Sequence, residues 1–161
     1  MPAIPQLSLV DPPRGMHLSS VDGQGRLLLP QPVRWYLQAL GETAPFVTSL
    51  DRQTARIYPR SVWTCEVQPL LAQPGESSAA AKAVSFTANW LGEDCRLDRA
   101  GQIRLGQQLR EVLQFDSGVV RIYHERGHFV VLPERLYRQR CEVSQEDVDR
   151  DLANLERAGL R

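Results

Sequence analysis

One pattern of apolar and polar positions occurs twice along the chain. Residues 21–29 align with residues 97–105 at a constant offset, and each block contains an Asp-x-x-Gly turn that leads into a short apolar strand. A helical stripe follows in each copy, because apolar residues recur three and four positions apart. The stripe residues are Val33, Tyr36, Leu37 and Leu40 in the first copy and Leu109, Val112 and Leu113 in the second. The sequence therefore predicts a duplicated strand, turn, strand and helix.

Two further short strands are expected after each predicted helix. They are predicted over 46–50 and 56–58 in the first copy and over 119–123 and 129–132 in the second. Pro59 and Pro133 end these hairpins, and an aromatic helical segment follows each proline. Neither copy is long enough to bury its sheet alone, so the two copies are expected to pair into one compact, pseudo-symmetric β-structure.

The duplicated unit divides the chain into five predicted segments. Four of the eleven prolines fall within residues 1–13, which predicts a flexible arm. The other segments are a first motif over 14–61, a helical connection over 62–92, a second motif over 93–137 and an acidic amphipathic helix over 138–161. Within the connection, a linker is predicted over 73–78 and an alanine-rich helix over 79–91, with Gly92 ending it.

The C-terminal segment has an apolar stripe and an acidic surround. Ser144 and Asp147 resemble a capping box, and Val148, Leu152 and Leu155 fall on one helical face. Two interpretations stay open at this point. The helix packs on its own chain, or it docks on a neighbouring subunit.

The net charge of zero is the sum of an acidic C-terminal tail and a basic remainder of the chain. The chain has 19 Lys+Arg and 19 Asp+Glu, but residues 142–161 hold six acids and three arginines. Without this tail and Asp11, 16 basic and 12 acidic residues remain, a balance of +4. Neutrality is therefore no argument against an anionic partner.

Most of the common enzyme motifs are missing from the sequence. It contains no Gly-x-Ser-x-Gly elbow, P-loop or dinucleotide fingerprint. A His-Glu-x-x-His sequence does occur at 124–128, but it lies on a predicted hairpin turn instead of the helix on which this motif binds zinc. His124 and His128 flank a predicted turn, but two ligands fall short of a metal site. We expect no catalytic residue, cofactor, metal or small-molecule substrate.

The cysteines and the apolar runs bear on the compartment. Cys65, Cys95 and Cys141 form no C-x-x-C pair, which argues against a disulfide framework or a zinc knuckle, and Cys65 and Cys141 are expected to be small buried side chains. No apolar run of about 18 residues occurs, so no membrane-spanning helix is expected. The start has no cationic leader, which argues against a signal peptide. We therefore expect a cytoplasmic protein.

Several short motifs resemble one family. Arg14-Gly15, Val21-Asp22-x-x-Gly25-Arg26, Pro30 and Arg34, and then a second Asp98-x-x-Gly101, are similar to the MraZ family of bacterial transcriptional regulators. The resemblance runs from Arg14 to about Tyr137. It implies an α+β fold, a pseudo-symmetric double swapped-hairpin β-barrel built from two AbrB-like (SpoVT-AbrB) motifs. It also implies a nucleoid-associated repressor of its own division and cell-wall gene cluster that forms a ring homo-oligomer on the direct repeats of a double-stranded DNA promoter.

The resemblance also assigns candidate DNA-binding residues. Arg26 is the expected reader of a base or a phosphate, and Asp22 is its orienter. Auxiliary contacts are expected from Gln24, Arg14, Arg99, Gln102 and Arg104. Gln24 stands where the family usually has lysine, and Gln102 stands where the second turn would carry an arginine. Gly23 and Gly25 are expected to supply positive φ angles in the first turn.

Alternatives remain at this level. Arg26 and Asp22 can form an ion pair that only closes the turn, and the arginines over 96–110 can be a solvated face instead of phosphate contacts. A scaffold of the same fold that has lost DNA recognition is the second hypothesis for the function. An antitoxin of the related MazE type is a weaker third, because such chains usually carry one motif and a disordered tail.

Overall fold

The first predicted motif forms four strands and one helix. The computed structural model describes residues 10–75, 78–115 and 118–161. In chain order, the first elements are β1 (Met16–Val21), β2 (Arg26–Leu28), α1 (Gln31–Ala39), β3 (Phe46–Thr48) and β4 (Ala55–Tyr58). Pro30 directly precedes α1 and Pro32 lies in its first turn, where a missing N–H costs no hydrogen bond. Gly41 follows α1 with a φ of 73°, as expected for a helix stop.

The remainder of the chain adds the helical connection, the second motif and the C-terminal helices. Their bounds are α2 (Arg60–Val62), a π-helical turn (Trp63–Val67), α3 (Gln68–Leu71), α4 (Ser78–Leu91), β5 (Glu93–Asp94), β6 (Gln102–Arg104), α5 (Gln107–Leu113), β7 (Gly118–Glu125), β8 (His128–Pro133), α6 (Glu134–Cys141) and α7 (Gln145–Arg157). The alanine-rich helix is therefore confirmed. Of the predicted linker, Glu76 and Ser77 lie outside the described residues, and so do residues 1–9 of the predicted arm.

The eight strands of the described residues join one strongly curled antiparallel sheet, which makes the fold α+β. The strand order is β5-β3-β4-β8-β7-β1-β2-β6, so four of the seven neighbouring pairs join one motif to the other. β1 pairs with β7 along its whole length, and β4 pairs with β8 so that Ile57 lies opposite Phe129. Neither motif has a complete sheet of its own.

The core lies inside this sheet and draws on both motifs. Leu27, Leu37 and Ile57 from the first motif and Ile103 and Phe129 from the second are fully buried in one cluster. A smaller cluster of Tyr58, Val62, Trp63 and Ala88 attaches the helical connection. Both predicted helical stripes face the core, although Leu40 at the end of the first is only half-buried.

Two cysteine predictions are wrong. Cys65 and Cys141 are exposed, whereas Cys95 is buried. Cys65 faces outward because the π-helical turn buries Trp63, and Cys141 ends a helix that buries no residue. Burial raises the pKa of the Cys95 thiol to about 12, so this thiol stays protonated and unreactive.

The C-terminal residues form α6, which follows Pro133, and α7, which carries the predicted apolar stripe. One half of the predicted capping box is present, because the Asp147 N–H donates to Ser144 Oγ at 3.2 Å. No residue of α7 is buried, and Val148, Leu152 and Leu155 are 43–57% exposed. Within the described ranges, the apolar stripe of α7 is therefore left uncovered by its own chain. The described helices include none with the length and apolar character needed to cross a membrane.

Candidate nucleic-acid interface

Strands β2 and β6 form a two-stranded antiparallel ribbon at one edge of the sheet. Its register places Arg26 opposite Arg104, Leu27 opposite Ile103 and Leu28 opposite Gln102. Leu27 and Ile103 are fully buried and face the core. Because successive strand residues face opposite sides, the outer face carries the remaining four side chains. These are Arg26, Leu28, Gln102 and Arg104.

Arg26 is held at the surface by its own turn. Its Nε lies 3.4 Å from Asp22 Oδ2, and its Nη2 donates to Gln24 Oε1. The ion pair considered from the sequence is thus present. Nevertheless, 42% of the Arg26 side chain is exposed, as is 45% of the Asp22 side chain. The guanidinium therefore remains accessible to an external acceptor.

Asp22 organises this turn with both carboxylate oxygens. Its Oδ1 accepts hydrogen bonds from the backbone N–H groups of Gln24 and Arg26, both at 2.9 Å, while Oδ2 faces the guanidinium. The N–H of Arg26 is the main reason why the pKa of Asp22 lies below its ordinary value, and the charges of Arg26 and Arg104 act in the same direction. Asp22 thus contacts both the backbone of the turn and the guanidinium of Arg26.

The second turn repeats the backbone of the first without its arginine. The Gln102 N–H donates to Asp98 Oδ1 at 2.9 Å, as the Arg26 N–H does to Asp22. In both turns the backbone N–H of the aspartate donates to the carbonyl oxygen four residues further along the chain, Arg26 O or Gln102 O, at 2.9 Å. Gln102 is half-buried at the position that corresponds to Arg26. The two turns have the same backbone hydrogen bonds, but the arginine stands at the last position of the first turn, Arg26, and at the second position of the other, Arg99.

Positive charge is concentrated at one end of the ribbon. Arg26 and Arg104 are directly opposite each other, and like charges in that position destabilise a strand pair. Arg99 is exposed in the second turn. Arg14 is also exposed, but it precedes β1, whose six residues, roughly 20 Å, separate it from the Asp22 turn. The candidate residues other than Arg14 thus lie on the ribbon and its two turns.

Glycine has a special role at one position in each turn. Gly25 and Gly101 have φ angles of 79° and 81°. The prediction for Gly23 is wrong, because its φ is not positive and a Cβ there would meet open space. A positive φ is needed only where the chain re-enters the strand, so one glycine per turn is sufficient.

Sequence reasoning missed the contacts of two arginines with these glycines. The side chain of Arg110, in α5, fills the space that a Cβ at Gly25 would occupy. The side chain of Arg34, in α1, does the same at Gly101. Each arginine follows the glycine of its own motif by nine residues but packs on the glycine of the other motif. The equal spacing was visible in the sequence, whereas the exchange of partners was not.

The two histidines of the β7–β8 hairpin lie among aromatic rings. The ring of His124 packs against those of Tyr36 and Phe129, and the ring of His128 packs against that of Tyr58. Among the described residues, no three His, Cys, Asp or Glu side chains are grouped so that they could hold a metal ion.

Comparison with known proteins gives a consistent result. No protein-family model matches the chain. The chain is 30% identical over 131 residues to "Transcriptional regulator MraZ" of Acidobacterium capsulatum, which covers 81% of this chain and 88% of that protein. It is 35% identical over 106 residues to the protein of the same name in Desulfitobacterium hafniense, covering 66% of this chain and 71% of the relative. For the Koribacter versatilis protein of that name the identity is 27% over 107 residues, 66% of this chain and 72% of the relative.

Proposed function

The chain belongs to the MraZ family, and from this we propose that it is a sequence-specific DNA-binding repressor of its own division and cell-wall gene cluster. The named relatives support a role in transcription regulation rather than in catalysis. The partner we propose is double-stranded DNA, which would place the protein on the nucleoid.

The observation that carries the proposal is the outer face of the β2–β6 ribbon. A two-stranded antiparallel ribbon fits the major groove of B-DNA, which is about 12 Å wide. Arginine can bind guanine through two hydrogen bonds, and glutamine can bind adenine in the same way. Arg26 and Gln102 stand at corresponding positions of the two strands, and Arg104 stands opposite Arg26. We propose Arg26 as the base or phosphate reader, Asp22 as its orienter, and Gln24, Gln102, Arg104, Arg99 and Arg14 as auxiliary contacts.

The proposed architecture is a pseudo-symmetric double swapped-hairpin barrel of two AbrB-like motifs, over 14–61 and 93–137. The exchange of strands supports it: β1 pairs with β7 of the second motif, and β5 pairs with β3 of the first. The β2–β6 and β4–β8 pairs lie on the pseudo-two-fold axis of this arrangement. With β5 reduced to Glu93–Asp94, the barrel is left open on that side.

Replacing Arg26 tests the proposed function. We expect wild type to shift a fragment from upstream of its own gene at low salt and Arg26→Ala to bind it more weakly by about 1–3 kcal/mol, the value of one guanine contact. Arg138→Ala is the matched control, because its Nε also lies 3.4 Å from a carboxylate four residues earlier but belongs to α6, outside the ribbon. A gel shift series read against salt measures both affinities. Equal losses in the two variants would contradict a specific role for Arg26.

Two observations favour the second candidate function, a scaffold without DNA recognition. Gln102 replaces the second arginine, and Arg26 already has Asp22 and Gln24 as partners. If wild type does not shift the upstream fragment at low salt, the repressor hypothesis is rejected in favour of the scaffold.

We further propose that copies of the chain form a ring and that α7 docks on the neighbouring subunit. The support is the apolar stripe of α7, which its own chain leaves exposed. Replacing Leu152 and Leu155 together by Glu should lower the assembly mass measured by light scattering, whereas Asn154→Glu, on the polar face, should leave it unchanged. The smaller assembly should also bind several repeats no more tightly than one, since linked sites gain by effective concentration. An unchanged mass in the double variant would exclude α7 from the subunit contact.

A further inference from the structure

The two turns of the candidate interface are supported crosswise by the two motifs. Arg110 Nε, Cδ and Cζ lie within 3 Å of the position a Cβ at Gly25 would take, and Arg34 Cδ, Nη1 and Cζ lie equally close at Gly101. The backbone follows the same exchange. The Leu105 N–H donates to Gly25 O at 2.8 Å, and the Leu29 N–H donates to Gly101 O at 2.9 Å. Each turn is thus fixed by the motif to which it does not belong.

The contact between arginine and glycine is one of packing. Arg34 Nε and Arg110 Nε are both buried, and neither has a hydrogen-bond partner among the described residues. The flat guanidinium and its aliphatic stem therefore lie on bare backbone, which only glycine permits at this distance. Such packing restricts the φ and ψ angles of the turn and, with them, the direction in which the next side chain leaves the strand.

The two arginine–glycine contacts are equivalent, but the turns that they hold end in different residues. Arg110 holds the turn that ends in Arg26, the charged candidate reader, whereas Arg34 holds the turn that ends in Gln102. The second turn ends in Gln102 and not in an arginine. Arg110 nevertheless has a charged residue to position, because the turn on which it packs is that of Arg26 in the first motif.

We infer that Arg110 is a positioning residue for DNA binding. The second motif then acts mainly by holding Arg26, the proposed reader in the first motif, in position. This inference rests on the proposed function of the Arg26 turn. It assigns unequal roles to Arg34 and Arg110, although the two residues are equivalent by position in the repeat and by packing.

The matched pair of variants Arg110→Ala and Arg34→Ala tests the inference in the full-length protein. With the upstream fragment, we expect Arg110→Ala to lose about tenfold or more in affinity and Arg34→Ala to lose less than about threefold. Because both side chains pack in the same way, urea unfolding should show similar losses of stability. Equal losses of affinity in the two variants would overturn the unequal roles.

Two further measurements separate positioning from direct contact. In an Arg26→Ala background, Arg110→Ala should cost no further affinity, since it acts through Arg26. Arg110→Met, which keeps a linear stem without the charge, should restore most of the binding lost in Arg110→Ala. A phosphate contact by Arg110 itself would instead leave Arg110→Met defective and lower the salt slope by about one. That result would overturn the positioning role.

Hydrogen exchange tests, in the absence of DNA, whether each arginine stabilises the turn of the other motif. We expect faster exchange in the 22–29 segment of Arg110→Ala and in the 98–105 segment of Arg34→Ala, each variant leaving the other segment unchanged. A different pattern overturns the inference. This pattern together with a wild type that does not shift the upstream fragment would support the contacts of Arg110 and Arg34 with the opposite turns and contradict the proposed function. Failure of the inference and failure of the proposed function are therefore distinguishable.

Discussion

Phe129→Ala is expected to lower the free energy of unfolding by about 3–5 kcal/mol, the usual cost of removing a fully buried phenyl ring. Phe129 has no exposed surface and lies in β8 opposite Ile57 of β4. Its ring also packs against Tyr36 of α1, with centroids 5.7 Å apart. The resulting cavity would be lined by both motifs and held open by a paired sheet, so it cannot readily collapse.

The same variant tests whether the two motifs unfold together. Trp35, Trp63 and Trp90 all lie before the second motif, so tryptophan fluorescence reports on the first motif and the connection. We expect fluorescence and far-UV circular dichroism to give coincident urea transitions in wild type, both shifted equally by Phe129→Ala. Phe86→Ala is the control, because Phe86 is 68% exposed on α4 and its removal should change stability far less. A fluorescence transition that Phe129→Ala leaves in place would mean that the motifs fold independently.

Local sequence patterns were sufficient for the elements of the fold. The duplicated Asp-x-x-Gly turn, the two helical stripes and the prolines that end the hairpins all depend on residues a few positions apart, and the corresponding strands and helices are present. The exposed thiols of Cys65 and Cys141 were missed, because residue type predicts average burial and not which side of a helical turn faces the core. Gly23 was misassigned for a related reason, since composition does not tell which glycine takes the positive φ.

The pairing that builds the candidate interface could not be predicted from the sequence. Alternation along 26–28 predicts that Arg26 faces away from Leu27, but placing Arg26 opposite Arg104 requires the register of two strands 76 positions apart in the repeat. A slip of one residue would reverse every side chain of the ribbon. The packing of Arg110 on Gly25 depends on the same long-range pairing. These contacts arise from the joint burial of two incomplete sheets and have no local signature.

Acidification is expected to destabilise the fold through His128. This residue is 6% exposed in β8, and its burial, aided by the charge of Arg56, lowers the pKa of His128 to about 4, although Glu125 acts in the opposite direction. The folded pKa thus lies below the ordinary value of about 6.5, so the unfolded chain binds the proton first as the pH falls. The contribution is fully present above about pH 6.5 and is lost towards pH 4, by up to about 3 kcal/mol.

His128→Phe identifies the group responsible for this loss. The groups that face His128 are Tyr58 and Arg56 of β4 and His124 and Glu125 of β7, and a phenyl ring can keep the contact with Tyr58. Urea unfolding from about pH 7 to about pH 4 should show a clearly smaller fall in stability for the variant than for wild type. A residual fall is expected, because burial also lowers the pKa of His124. If both proteins lose stability equally over this range, the buried neutral imidazole of His128 is not the cause.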